Sequence, residues 1–268
     1  MLGTDFPCAD LPPNLPEGLP YWMGILGQRG FRFQSDGNSR EIIAEVGNVK
    51  LHMDGSDVAL IADEVFGALE YGLFCNNKTV VVDIGMNVGT TSLYFAAQAS
   101  VIRVIGFEPC KTTLRRAARN LELNPRFASK VEIRPYALGA SDRVAKLVVD
   151  KHNSGVTRIS DCGTRTQNGN EETVEVHDVE TEVQNVIKEL EPRQSLVLKV
   201  DCEGAEVEIF DRLSRDALRR MDTIFIEWHS REILAKIQNI LNESGFSVCV
   251  RRTTLDLGTL CAFQKISR

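Results

Sequence analysis

From residue 78 onward, unbroken apolar runs alternate with stretches in which apolar residues recur every three or four positions. The runs Thr79–Ile84 (TVVVDI), Val101–Phe107, Val131–Leu138, Ser195–Val200 and Thr223–Glu227 predict strands buried on both faces, as in a parallel sheet. Residues 90–99, 111–123, 183–190, 205–220 and 231–244 carry helical spacing. Asn124-Pro125, Pro192 and Gly245 mark helix ends. Val144–Val149 and Val174–Val179 are two further strands, flanking a polar loop over 151–172 that reads as a lid or a mobile link. Phe246–Arg251 and Leu260–Lys265 are close enough in sequence for an antiparallel hairpin. Alternating strands and helices with right-handed crossovers predict an α/β fold. Its expected form is a Rossmann-like, doubly wound, mostly parallel seven-stranded sheet ending in a C-terminal antiparallel hairpin. Ligands of such sheets lie at the carboxyl ends of the strands.

The first 75 residues read differently. Residues 1–30 are rich in proline and glycine without sustained period, which predicts an irregular arm. Short strands follow at 31–34, 41–46 and 49–53, separated by the turn signals Asp36-Gly37-Asn38 and Gly47-Asn48. Residues 57–71 predict a helix capped by Ser56 or Asp57. The expected organisation is an N-terminal extension over 1–75 (arm, short strands, helix) and a Rossmann-like domain over 76–268.

Composition removes some classes of function. A chain of 268 residues with 43% hydrophobic content is globular and long enough for a sizeable core. A net charge of −6 counts against a nucleic-acid partner. Two groups of arginines, Arg115, Arg116 and Arg119, then Arg212, Arg215, Arg219 and Arg220, have helical spacing and read as solvated faces. Seven scattered cysteines without a CxxC pair give no zinc signature. They suggest a reducing compartment, and with no apolar run long enough to cross a bilayer, a soluble cytoplasmic protein is expected.

Four clusters with chemical potential fall at predicted strand ends. The first is Asp83-Ile84-Gly85-Met86-Asn87-Val88-Gly89. Glycines there permit a tight turn and close approach of a ligand. The second is Glu108, placed to accept hydrogen bonds from ribose hydroxyls. A dinucleotide site would show GxGxxG. An acid before the first glycine and Asn87 inside the turn instead disfavour a pyrophosphate and suit a ligand carrying an ammonium group. S-Adenosylmethionine combines a ribose and an ammonium group without a phosphate, so it is preferred over a nicotinamide or flavin nucleotide. The third cluster is Lys199-Val200-Asp201-Cys202-Glu203-Gly204-Ala205-Glu206. Asp201 and Glu203 are expected to face the pocket. Glu206 reads mainly as an acid favoured by the helix dipole, and Lys199 as the partner of an acid. The fourth is Glu227-Trp228-His229, where alternation puts Glu227 and His229 on one side.

The segments VVDIGMNVGTTS (81–92), GFEP (106–109), NLELN (120–124), PYALG (135–139) and LKVDCEGAEVEIF (198–210) together resemble the FkbM-type methyltransferases of the class I S-adenosylmethionine-dependent group. The resemblance runs from about Glu70 to Glu227. Met86 stands where that family often has alanine. The resemblance implies methyl transfer to oxygen on a sugar, polyketide or other natural product. It implies that Asp83, Gly85, Asn87 and Gly89 line the methionine moiety and that Glu108, within GFEP beside Pro109, binds the ribose. Ala137 and Leu138 would lie near the adenine, and Asp201 and Glu203 beside the methyl group.

The expected chemistry is in-line displacement at a sulfonium methyl, with the protein aligning the acceptor and a general base assisting. The candidates for the base are His229, Asp201 and Glu203. His229 has the most suitable ordinary pKa. A variant with magnesium between Asp201 and Glu203 or Glu227 is possible chemistry. It is not preferred, because carboxylates equally hold sugar hydroxyls, and no metal is assigned. The expected partner is a small hydroxylated acceptor. Competing readings are an N-methyltransferase, a protein or RNA methyltransferase, a non-catalytic S-adenosylmethionine-binding module and an oxidoreductase.

Overall fold

The computed structural model of the chain describes residues 15–35, 41–72, 77–149, 158–160 and 170–265. It opens with helix α1 (Leu19–Gln28), an antiparallel meander β1 (Arg32–Ser35), β2 (Ile42–Val46), β3 (Val49–His52), and helix α2 (Ser56–Ala62). The last runs on through a π-helical turn at Asp63–Gly67. Next come β4 (Thr79–Ile84), α3 (Thr90–Ala97), β5 (Val101–Phe107), α4 (Lys111–Glu122), the short α5 (Pro125–Ala128) and β6 (Val131–Arg134). Then β7 (Ala137–Gly139), β8 (Arg143–Val149), β9 (Arg158–Ser160) and β10 (Asn170–Asp178) form a separate small sheet in the order β7-β10-β8-β9. The chain closes with α6 (Val179–Glu189), β11 (Ser195–Val200), α7 (Glu206–Arg212), α8 (Arg215–Arg219), β12 (Thr223–Trp228), α9 (Arg231–Glu243), β13 (Phe246–Arg252) and β14 (Gly258–Gln264).

The main sheet has seven strands in the order β13-β14-β12-β11-β4-β5-β6. β14 is antiparallel to both neighbours, and the other described pairings are parallel. This is the predicted Rossmann-like sheet with its C-terminal hairpin. The chain winds outward from β4 through β5 to β6, then returns to β11 on the other side of β4. The order therefore reverses between β4 and β11, which opens a crevice at their carboxyl ends.

Strand alternation sorts the core into two layers. Val80, Val82 and Ile84 of β4, with Leu196 and Leu198 of β11, pack against Val183, Ile209, Leu218 and Ile237 from the helices α6 to α9. Val81, Val197 and Phe225 point the other way. They join Leu93 and Phe95 of α3 and Leu26, Leu51, Val58 and Val65 of the first 72 residues. The N-terminal segment thus buries its apolar side chains in the same layer as α3.

Several boundaries differ from the sequence reading. Residues 19–28 form a helix within the expected irregular arm. Pro20 sits in its first turn, where its missing N–H is unneeded, and Leu19, Met23 and Leu26 are buried. The cap expected at Ser56 or Asp57 is absent: Gly55 is the N-cap without a side-chain bond, and the Asp57 carboxylate pairs with Arg116. The single strand expected over 131–138 is two, because Pro135 lacks the N–H a ladder requires. β6 stays in the main sheet and β7 pairs with β10. α6 begins at Val179, capped by Asp178 accepting from the Thr181 N–H at 2.8 Å. The helix expected over 205–220 is interrupted at Leu213, and Ser214 caps α8. The arginine faces are not simply solvated. Arg116 pairs with Asp54 and Asp57, Arg119 with Glu41 and Arg212 with Asp178. The arm over 1–14, the turn at 36–38, the 75/76 boundary and most of the polar loop lie outside the described residues.

Candidate active site

The turn after β4 is held from below. The N–H groups of Gly85 and Met86 both donate to the Phe107 carbonyl at 3.0 Å. Gly85 has φ +77°, and a Cβ there would stand 1.7 Å from the Asp201 carbonyl oxygen. Only glycine suits that position. Asn87 takes a left-handed conformation at φ 51°, and its N–H donates to Glu108 Oε2 at 3.1 Å. The Cys110 N–H donates to Glu108 Oε1 at 2.8 Å. Gly89 is the N-cap of α3 and packs on Ala117.

Asp83 lies wholly buried beneath this turn and outside the cavity wall. It accepts from the Ser92 hydroxyl at 2.6 Å and stands 3.1 Å from the Lys199 ammonium. Lys199 also donates to the Gly85 carbonyl at 2.6 Å and reaches Asp201 Oδ2 at 3.4 Å. Burial opposes its charge, but Asp83 and then Asp201 outweigh that and hold its pKa above the usual lysine value. Lys199 therefore pairs with acids as expected, and it ties the ends of β4 and β11 together.

A cavity of about 380 Å³ lies at those strand ends, a size suited to a small-molecule ligand. Gly85, Asn87, Glu108, Pro109, Ala137 and Leu138 line one side, and Asp201, Glu203, Glu227 and His229 the other. Leu60, Ile61, Glu64, Val65 and Tyr71 close it from the N-terminal segment. Of the residues selected from sequence, only Asp83 and Gly89 stand behind the wall.

The first side fits a nucleoside with an amino-acid tail. Glu108 accepts one amide on each oxygen, which leaves each a lone pair for a hydroxyl. Its burial pushes the carboxyl up to about 7, against the two amides and Lys199. Asn87 Oδ1 is buried with no partner, an acceptor awaiting a donor. Ala137, Leu138, Leu147 and Phe107 give an apolar wall.

The second side is acidic. His229 Nδ1 stands 2.8 Å from Glu206 Oε1 and its Nε2 stands 3.4 Å from Glu203 Oε2. Burial disfavours the charged ring, yet the hydrogen bonds to Glu203 and Glu206 prevail and raise its pKa above the ordinary histidine value. Burial and then the neighbouring Asp201 carboxylate raise the Glu227 carboxyl. Burial, Glu70 and Asp201 push Glu64 up to about 7. Donor atoms of Asp201, Glu227 and His229 all lie within 4.8 Å of one another.

Sequence reasoning missed Glu206 as the partner of His229. The helix-dipole reading explained its position adequately, and no spacing rule links residues 206 and 229. Glu64 and Tyr71 also went unselected, because nothing local says that α2 folds over the strand ends. The pairing of Glu227 with His229 followed from strand alternation.

Comparison with known proteins identifies the family. Residues 83–248, more than half the chain, match the methyltransferase FkbM domain model. AMB antimetabolite synthetase AmbE of Pseudomonas aeruginosa is 27% identical over 237 residues, 75% of this chain but 11% of that protein. Methyltransferase 1 of Beauveria bassiana is 26% identical over 189 residues, covering 66% of this chain and 75% of the relative. The crystal structure of methyltransferase FkbM from Methylobacillus flagellatus is similar with a TM-score of 0.49 at 18% identity, over 72% of this chain and 45% of that one. The chain thus spans only a small part of AmbE and under half of the crystallised relative. With a family match that begins at the buried acid of the β4 turn and runs through both sides of the cavity, the chain belongs to the FkbM methyltransferase domain family.

Proposed function

We propose that this protein uses S-adenosylmethionine to methylate a hydroxyl oxygen on a small molecule, a sugar or another natural product. The observation that carries the reading is a single cavity with two unlike sides. A glycine turn, Asn87 and the twice-bonded Glu108 face Asp201, Glu203, Glu227 and His229 across it. When bound, the cofactor supplies a methyl group activated by its sulfonium. Glu108 would hold the ribose hydroxyls, Asn87 Oδ1 would receive the ammonium, and Ala137 and Leu138 would cover the adenine. Gly85, without a side chain, lets the β4 turn sit against the Asp201 main chain and so brings the two sides of the cavity together.

The acceptor side aligns the hydroxyl and takes its proton. The bound cofactor would supply the methyl group to that oxygen, and the proton the hydroxyl loses would pass to the protein. A poor nucleophile such as a hydroxyl gains from a base whose protonation state is right at working pH. Glu203 and Glu206 hold His229 charged, which disfavours it as the proton acceptor. The carboxylates Asp201 and Glu203 take that role, and His229 orients Glu203. Ion pairing of Arg116, Arg119 and Arg212 supports a small-molecule acceptor over a nucleic acid. Among the described residues no helix is long and apolar enough to cross a membrane.

Calorimetric titration with S-adenosylmethionine and S-adenosylhomocysteine tests the first half of this reading, and methylation assays on sugar and polyol acceptors test the second. Micromolar binding with methyl transfer to oxygen is the expected result. Absence of binding to folded protein rejects it, and transfer only to amines moves the acceptor class to nitrogen.

A further inference from the structure

The acceptor side holds a donor set that hydroxyl recognition alone does not require. Asp201 follows β11, while Glu227 and His229 lie two residues apart at the end of β12 and so share a face. One carboxylate oxygen from each acid and one imidazole nitrogen gather within 4.8 Å. A neutral sugar hydroxyl has no need of two adjacent carboxyl groups. Lys199 reaches Asp201 only at 3.4 Å and is shared with Asp83.

Behind His229 sits a second, independent observation. The Glu206 side chain is wholly buried, and its Oε1 lies 2.8 Å from His229 Nδ1. Its Oε2 has no partner. A buried carboxylate on Nδ1 orients the ring so that Nε2, 3.4 Å from Glu203, is the nitrogen left to ligate once it gives up its proton. This carboxylate–histidine pairing accompanies imidazoles that ligate metals, where it orients the ring and raises its basicity.

The geometry points to a divalent-cation site formed by Asp201, Glu227 and Nε2 of His229, with Glu206 as the group that holds the ligating ring. Two carboxylate oxygens and one imidazole nitrogen suit manganese or a similar hard-to-borderline cation. Three protein ligands leave positions open for an acceptor oxygen. On binding, Glu227 and the His229 ring release any protons they carry to solvent. In the methyl-transfer reading, on which only this consequence rests, the cation lowers the pKa of the acceptor hydroxyl. Asp201 then holds the ion, and Glu203 remains to take the proton. The acceptor class narrows to molecules with two neighbouring oxygens, such as vicinal diols or hydroxy acids, which can chelate.

The test uses the full chain stripped with a chelator and titrated with Mn²⁺, free ion being read by electron paramagnetic resonance. S-Adenosylhomocysteine binding is measured in parallel by calorimetry. One Mn²⁺ per chain at micromolar affinity is expected. Asp201→Asn and Glu227→Gln should each weaken it about tenfold or more, and Glu206→Gln about 10- to 100-fold with the circular dichroism unchanged. S-Adenosylhomocysteine binding without Mn²⁺ retention at millimolar concentration overturns the cation site and leaves the methyl-transfer reading intact. That outcome would mean that the carboxylates serve an ammonium or hydroxyl of the acceptor. Mn²⁺ binding without S-adenosylhomocysteine binding upholds the site and rejects the reading, and failure of both rejects both. Equal Mn²⁺ affinity in wild type and all three variants would also overturn the site, by locating the ion elsewhere.

Discussion

A methyl group added at Gly85 would meet the Asp201 carbonyl oxygen at 1.7 Å, on a backbone already at φ +77°. Neither partner can yield, because both are main chain at the ends of adjacent strands. Gly85→Ala is therefore expected to destabilise the fold by about 2 kcal/mol or more. Thermal unfolding would register this, and a variant as stable as wild type would show that the turn relaxes. Glu64 poses a different residue-scale question. Burial, with Glu70 and Asp201, pushes its carboxyl from 4.5 up to about 7. Between those values the folded chain keeps a proton that the unfolded chain has released. Stability therefore falls as pH rises through that window and is level above it. Glu64→Gln removes the charge. It should match wild type near pH 4 and exceed it by on the order of 1–3 kcal/mol near pH 8. Denaturant titrations at the two pH values check this, and an equal gain at both would assign the effect to packing.

Elements were legible where one rule governed them and obscure where two competed. The strands β4, β5 and β11 match their apolar runs residue for residue, since burial on both faces of β4 and β11, and over most of β5, leaves one reading. β6 and β7 read as a single strand because apolar content outweighed Pro135, although proline's missing N–H ended the pairing. The break between α7 and α8 was hidden by continuous helical spacing, and Ser214 was its only local mark. The tie between α4 and α2 was illegible, because Arg116 lies 62 and 59 residues from its partners Asp54 and Asp57. Arg116→Met tests that tie. It removes the guanidinium that pairs with the buried Asp57 carboxylate, which should cost about 1–3 kcal/mol. The loss should be local first, with faster amide exchange in α1 and α2 than in β4 or β11. Uniform acceleration across the main sheet would instead mean that the N-terminal segment and the sheet unfold as one unit.

At the scale of the whole molecule, the sheet and the N-terminal segment divide the work. The doubly wound sheet, with ligands at the carboxyl ends of its strands, was readable from the alternation of elements, so the strand-end residues could be selected before the structure; the strand order that opens the crevice between β4 and β11 was not. The covering of that crevice was not readable. It depends on α2 packing on the face of α3, which no local pattern in residues 56–71 encodes. Its consequence is that Leu60 and Ile61 line the cavity. Leu60 remains 39% exposed, as expected of a side chain at a mouth that an acceptor would cover. If that cover serves the acceptor, truncating both to alanine removes apolar area from the acceptor's binding alone. For partly exposed side chains that is about 1 kcal/mol each, or roughly fivefold per residue in affinity. The expected result is a raised KM for the acceptor with kcat nearly unchanged and S-adenosylhomocysteine affinity within about twofold, since uniform binding is lost without touching the reacting atoms. If cofactor affinity falls in step with the acceptor, the N-terminal segment closes over both ligands, and acceptor choice would have to be sought in the β7–β10 sheet instead.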